Sequence, residues 1–523
     1  MSKVSPSSKM RYFSLALIFF SAAQSAFALG GAMPGMEDAM EIQREQLERL
    51  HDFLGPIPDS STSKRAVEST IQFSNPAAEQ FFVDGTTIPL VDFDAGPSWS
   101  GLMPISSDPA ETRKLFFWLW PTNNPANTKD LVFWTNGGPG CSSLEGFLQE
   151  NGPISWSWGQ AKPTPNMWSW TNMSNVVWVE QPVGTGFSQG TPNITNDDEL
   201  AAEVMGFLEQ FLEVFQELKG SSFYITGESY AGFYVPYIAN WIYEHPGLDL
   251  NLKGIFIADP SLSYDVVQQE IPALRFARAN QNLFPFNSSF WNELQTISDN
   301  CGYTDYLDQF VTYPPKGQLP LPVATNGTFS ATAACRIHSP IQRAIGLLNP
   351  VFDVYRVSDT FPNLWSVLGF PRSTQEFVYF NRTDVQDAIH APHIVWQSCA
   401  AKSVYLPGGD QSIPSTLSVL PNVIEKSERT VIVHGLADFI LVAEGTRIAI
   451  QNMTWNGQQG FQTPIANESF TVKNMGVYGN EHTERGLTYI EYYFSGHMTP
   501  QFVPWAAFAS VQFLLGQLPS PST

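Results

Sequence analysis

The chain has 523 residues, a formal net charge of −22 and 43% hydrophobic residues. That apolar content supports a large buried core and excludes a disordered chain. With 27 Lys and Arg against 49 Asp and Glu, the surface repels nucleic acid and anionic membranes, and no basic patch offsets this.

Lys3, Lys9 and Arg11 precede an apolar stretch from Phe13 to Ala23, and Ala26-Phe27-Ala28 has the small-x-small pattern of a signal peptidase site. Residues 1–28 therefore read as a secretory signal peptide. The apolar run is too short to span a bilayer comfortably, and no later stretch replaces it. The expected mature protein is soluble and exported, extracellular or vacuolar. In residues 29–65, Met36, Met40, Leu47, Leu50 and Leu54 fall at helical spacing, then Pro56, Pro58 and a Ser/Thr run break the pattern before Lys64-Arg65. This segment reads as a propeptide cleaved after Arg65; the alternative is a surface helix beside a chance dibasic pair. Seven N-x-S/T sequons, at Asn172, Asn193, Asn287, Asn326, Asn381, Asn452 and Asn467, are candidate glycosylation sites. Four cysteines, Cys141, Cys301, Cys335 and Cys399, in an exported chain favour two disulfides, with three pairings open. Their spacing does not suit a structural zinc site.

Residues 66–523 read as one catalytic domain. From about residue 113, continuous apolar runs at Leu115–Trp120, Leu131–Trp134, Val176–Val179, Phe223–Thr226, Leu252–Ile257 and Thr430–Val433 predict strands buried on both faces. Asn196 and Glu199 resemble a capping box opening a helix over 197–218, whose stripe is Leu200, Val204, Phe207, Leu208, Phe211 and Phe215. Helix followed by strand implies an α/β fold with a mostly parallel central sheet. The stretch from about 263 to 385, rich in Pro, Asn and aromatics, interrupts the rhythm and reads as an inserted cap. Trp156, Trp158, Trp168 and Trp170 hint at apolar surfaces, with core packing the plainer role.

Chemistry enters at Gly227-Glu228-Ser229-Tyr230-Ala231-Gly232. An α/β hydrolase presents its serine on a sharp strand-to-helix turn flanked by small residues. Gly227 meets that need two residues before Ser229; the usual second glycine is Ala231. The partners should follow in the order acid, then histidine. Strand Thr430–Val433 leads into His434-Gly435-Leu436-Ala437-Asp438, and Tyr489–Phe494 leads into Ser495-Gly496-His497. Asp438 would hold the imidazole, and His497 would take the Ser229 proton. His390, His393, His434 and His482 compete; His497 is preferred because a glycine precedes it and a strand delivers it.

Four motifs in order now carry a resemblance: Asn136-Gly137-Gly138-Pro139-Gly140-Cys141-Ser142-Ser143, Glu180-Gln181-Pro182-Val183-Gly184-Thr185-Gly186-Phe187-Ser188, the Ser229 turn, and Gly496-His497-Met498. Over about residues 72–516 the chain resembles the serine carboxypeptidase family, its secreted fungal members especially. The resemblance implies an α/β-hydrolase fold, hydrolysis of C-terminal peptide bonds through an acyl-enzyme at acid pH, and no metal or organic cofactor. It assigns the oxyanion hole to the N–H groups of Gly138 and Tyr230, and the substrate's α-carboxylate to Asn136, Gly137, Glu150 and Glu228. Crowded glutamates raise each other's pKa, so a protonated one can donate to a carboxylate. Without the resemblance, Glu150 would read as a solvated helix residue. The resemblance also pairs Cys141 with Cys399 and Cys301 with Cys335.

The chain departs from the family in two places. Gly435-Leu436-Ala437-Asp438 stands where many members have Gly-Asp-x-Asp, with Val442 in place of an asparagine. Ala258-Asp259-Pro260 stands where many have Gly-Asn. Two other functions share the scaffold: an acyltransferase to a small alcohol, and a non-catalytic binding or protective protein. The carboxylate set argues for peptides, and the complete triad argues for catalysis.

Overall fold

The computed structural model describes residues 70–322, 331–359, 366–369, 378–465 and 469–523. The signal peptide, the propeptide with Lys64-Arg65, and the sequons at Asn326 and Asn467 lie outside the described residues.

Eleven strands form one sheet: β1 (Phe82–Val83), β2 (Ser98–Pro104), β3 (Lys114–Trp120), β4 (Asp130–Thr135), β5 (Asn175–Glu180), β6 (Ser222–Glu228), β7 (Asn251–Ala258), β8 (Arg429–Gly435), β9 (Ser469–Val472), β10 (Gly476–Glu484) and β11 (Leu487–Tyr492). Their spatial order is β1-β2-β3-β5-β4-β6-β7-β8-β11-β10-β9. The six central strands, β5-β4-β6-β7-β8-β11, are mutually parallel, and the outer pairings are antiparallel.

The period of two explains the continuous apolar runs. On β3, Phe117 and Leu119 enter the core on one face while Phe116, Trp118 and Trp120 enter the other. Phe133 with Val132 and Trp134 on β4, and Ile257 with Phe256 on β7, divide the same way. On the first face lie α1 (Asp197–Val214) and α2 (Ala231–Glu244); α7 (Pro504–Leu514) packs on the second. Asn196 caps α1: its side chain accepts from Glu199 N–H at 3.0 Å, while Glu199 reaches back to Thr195 N–H at 2.6 Å, one residue earlier than a reciprocal box requires. The whole predicted stripe of α1 is buried. The helix itself ends at Val214, and a 3₁₀ turn over Gln216–Leu218 completes the predicted span.

One boundary moves. The last central strand spans Leu487–Tyr492, two residues earlier than the apolar run suggests, because Phe494 turns into the left-handed region at φ 63° and is exposed.

Between β7 and β8 the chain leaves the sheet. Here α3 (Ile271–Ala279), α4 (Ser288–Cys301) and α5 (His338–Leu348) bury Leu274, Phe276, Phe284, Leu294 and Ile341 in a separate core. Phe439, Val442 and Ile448 join that core; Ile448 lies on α6 (Ala443–Asn452). The connection between the two strands runs from 259 to 428; within it the residues of the separate core run from Val266 to Val357, whereas Ile389 and Trp396, and Leu420 and Val423, pack back on the two faces of the sheet.

Candidate active site

In a parallel sheet, the loops at the C-terminal ends of neighbouring strands share one edge. Here β4, β6, β7, β8 and β11 deliver Asn136–Gly140, Ser229, Asp259, Asp438 and His497 to that edge.

Ser229 stands between β6 and α2 with φ 65°, a conformation non-glycine residues rarely adopt. The turn is pinned by Ser229 N–H donating to Ala258 O at 2.9 Å, and by the Ser229 carbonyl accepting from Gly232 and Ser261 at 2.9 and 2.8 Å. Its small residues now have reasons. A Cβ on Gly227 would lie 2.6 Å from both the Ala231 methyl and Thr135 O. A Cβ on Gly232 would lie 2.2 Å from Ser261 O. The second close approach thus falls at Gly232, so position 231 accommodates alanine.

The glycine loop packs directly on this turn. A Cβ on Gly137 would come within 2.3 Å of Tyr230 N and 2.7 Å of Glu228 O. Gly138 follows with φ 114°. The far end of the loop is tied by the disulfide Cys141–Cys399 and by Ala400 N–H donating to Gly140 O at 2.8 Å. The second disulfide joins Cys301 to Cys335 within the excursion. Tyr230 stacks on Phe233 and donates its hydroxyl to Asp410 at 2.6 Å.

His497 Nδ1 lies 2.7 Å from Asp438 Oδ2, and both residues are buried. Nδ1 is thereby engaged and Nε2 is the nitrogen left for proton transfer. Tyr355 from the excursion accepts from His497 N–H at 2.7 Å. The altered sequence around Asp438 is compensated by the main chain: Oδ1 accepts from Ile440 N–H at 2.8 Å and Leu441 N–H at 3.2 Å. Burial pushes the Asp438 carboxyl up, but His497 and His434 outweigh it and hold it below the usual range.

Of the competing histidines, His390 is exposed. His393 pairs with Asp387 on the surface, and His482 pairs with Glu484. His434 comes closer. It is fully buried, with Nε2 2.8 Å from Leu441 O and Nδ1 3.0 Å from Thr446 Oγ1. A neutral ring donating from Nε2 satisfies both contacts.

The carboxylate set is also gathered. Asn136 Oδ1 accepts from Trp134 Nε1 at 2.8 Å and Gly146 N–H at 3.2 Å, which aims Nδ2 at Glu150 Oε1, 3.4 Å away. Glu150 and Glu228 are 4% and 3% exposed, so Glu150 is no solvated helix residue. Burial pushes Glu150 up to about 7, against the pull of Glu228, Asn136 and His497. Burial and the neighbouring Glu150 push Glu228 well above the carboxylate range. The Oε2 atom of each is buried and has no hydrogen-bond partner within the described protein. A third acid, Glu145, joins them, pushed by burial and Glu150 up to about 8.

Sequence reasoning missed Glu145, His434 in its buried setting, and Asp410. Glu145 shares the short helical segment of Glu150, but nothing in its local pattern marks it as buried. Trp156 and Trp170 are core residues, as the plainer reading held; Trp158 and Trp168 are partly exposed. Among the described sequons, Asn193 and Asn287 are exposed, whereas both ends of the Asn381 amide are bonded to the Trp396 main chain.

Comparison with known proteins agrees with this edge. The family model for serine carboxypeptidase matches residues 89–517. A probable serine carboxypeptidase of Arthroderma benhamiae is 42% identical over 542 residues, covering 97% of this chain and 98% of the relative. Serine-type carboxypeptidase F of Aspergillus niger is 39% identical over 513 residues, covering 92% and 93%. In three dimensions, a prohormone-processing carboxypeptidase from Saccharomyces cerevisiae superposes with TM-score 0.66 at 22% identity, covering 84% of this chain and 97% of that one, a likeness of fold. With an α/β-hydrolase sheet and a family match over most of its length, this chain belongs to the serine carboxypeptidase family.

Proposed function

We propose that Ser229, His497 and Asp438 hydrolyse the last peptide bond of peptides and proteins through an acyl-enzyme. Ser229 Oγ attacks the scissile carbonyl and its proton passes to His497 Nε2, the nitrogen not engaged by Asp438. The N–H groups of Gly138 and Tyr230 receive the oxyanion, with each donor worth about 3 kcal/mol of transition-state stabilisation. His497 then protonates the departing amine, and water, activated by the same imidazole, releases the acyl group.

The observation that carries this reading is the Glu150–Glu228 pair. A buried carboxyl pair with raised proton affinity and an unused oxygen on each member suits a ligand that is itself a carboxylate. A protonated glutamate donates where an ionised one would repel. Asn136 and Gly137 complete the recognition of a free C-terminus, which favours a peptide over the acyl acceptors of a transferase.

Export to the exterior or a vacuole, cleavage near Ala28 and Arg65, and glycosylation at Asn193 and Asn287 first belong to the same proposal. No helix among the described residues is long and apolar enough to cross a membrane.

An N-blocked dipeptide at acid pH tests the activity. Wild type should release the C-terminal amino acid, and a serine-directed covalent inhibitor should stop it. Ser229→Ala should lower kcat by about 10⁵- to 10⁶-fold. Undiminished release by the variant would overturn the assignment, and formation of an ester of the N-blocked residue in place of its free acid, when a small alcohol is supplied, would favour the transferase.

A further inference from the structure

Asp259 is unused by the mechanism above, yet it is built into the catalytic edge. It is fully buried and directly follows β7, at φ 43°. Two hydrogen bonds hold it there: its N–H donates to Val433 O at 2.8 Å, and its Oδ1 accepts from Gly435 N–H at 2.8 Å. Through Gly435 the carboxyl grips the start of the loop that carries Asp438. Its other oxygen, Oδ2, has no hydrogen-bond partner among the described residues. A carboxyl oxygen of Asp259, one of Asp438 and a ring nitrogen of His497 all lie within 4.8 Å of one another. His434 Nε2 sits between the two acids, 3.7 Å from Asp259 and 3.5 Å from Asp438.

We propose that Asp259 is a positioning residue for the reaction: it fixes the Asp438 loop through Gly435 and stays un-ionised, so that Asp438 is the single carboxylate acting on the His497 imidazole.

The groups facing Asp259 from each neighbouring element support a neutral acid. Glu228 comes from β6, Glu150 from the segment after the glycine loop, Asp438 and His434 from β8 and its loop, His497 from the loop after β11, and Tyr492 from β11 itself. Neither Lys nor Arg is among them. Burial, with the Asp438 charge beside it, pushes the Asp259 carboxyl well above its ordinary range. Of the two imidazoles nearby, His434 has Nε2 on Leu441 O and His497 has Nδ1 on Asp438, so neither ring is hydrogen-bonded through these atoms to Asp259. An ionised Asp259 would put a second negative charge beside the imidazole and favour the protonated ring, which cannot accept the serine proton. A neutral Asp259 leaves the base available in acid.

The inference rests on the triad reading, so both are tested with the full-length enzyme and the blocked dipeptide. Asp259→Gly removes the carboxyl without penalising the positive φ. Asp259→Asn keeps an oxygen for Gly435 N–H but cannot ionise, and Asn tolerates that φ. The expected result is a kcat about 10- to 100-fold lower for Asp259→Gly with KM little changed, consistent with misplacement of a base by a fraction of an ångström. Asp259→Asn should restore kcat to within about threefold of wild type, with the acid limb of kcat/KM in the same place. Wild-type kcat in Asp259→Gly would overturn the positioning role. If that variant does not fold, Asp259→Asn decides alone: an acid limb moved to lower pH by about a unit means a charge was removed, and overturns the neutral acid. Failure of the triad reading is distinct, because Ser229→Ala would then stay active.

Discussion

Two groups of buried carboxyls meet at this catalytic edge, and they are held in opposite charge states. Asp438 receives two main-chain N–H groups and an imidazole, and it stays ionised. Glu150 and Glu228 are as deeply buried, but Asn136 reaches only Glu150, the acids act on one another and on Glu145, and their proton affinity is raised. Burial is therefore common to both and does not decide the charge. The decision lies with the donors and cations that share the burial. One group can then stabilise a positive imidazole while the other, a short distance away, can attract an anion.

The comparison is broken most severely by neutralising the ionised side. Asp438→Asn should lower kcat by about 10⁴-fold while leaving KM nearly unchanged, because the imidazole loses its tautomer and its counter-charge. Steady-state kinetics on the blocked dipeptide measure both. A variant with unaltered kcat would mean that Asp438 is only structural.

The next effect is on stability, and the two groups have opposite signs. The Asp438 carboxyl is depressed on folding, so its contribution is present above the unfolded value and is lost as pH falls through the folded one. Glu150 rises from 4.5 to about 7, so its contribution is fully present below 4.5 and is lost as pH climbs through about 7. Between pH 5 and 8, wild type should lose about 1–3 kcal/mol relative to Glu150→Gln/Glu228→Gln, read from chemical unfolding of both at each pH. Parallel curves for the two proteins would remove the glutamate protons from the account.

The smallest effect is on binding. KM for the dipeptide should rise about tenfold between pH 6 and 8 in wild type as the glutamate protons are lost, and stay nearly flat in the double glutamine variant. A KM independent of pH in wild type would end the proposed role of the pair.

Much of this edge was legible before the fold was known. Apolar runs such as Leu115–Trp120 announced strands covered on both faces, and Asn196 with Glu199 announced the start of α1. Gly227, Gly137 and Gly232 were visible as small residues, but their necessity comes from backbones distant in the chain, such as Thr135 against Gly227 and Ser261 against Gly232. The strand delivering His497 was misplaced by two residues because apolarity continues through Tyr493 and Phe494 after the backbone has turned away.

By itself, the sequence determined the chemistry on offer: a serine on a tight turn, an acid and a histidine after later strands, and glutamates near a glycine loop. Local patterns of size, apolarity and order suffice for that, because each motif is written within a few residues. Only the tertiary structure decided which acids are charged. Glu228 and Asp259 owe their raised proton affinity to burial and to acids delivered by other segments of the chain, and a carboxyl's proton depends on what surrounds it in space rather than on its neighbours in the chain.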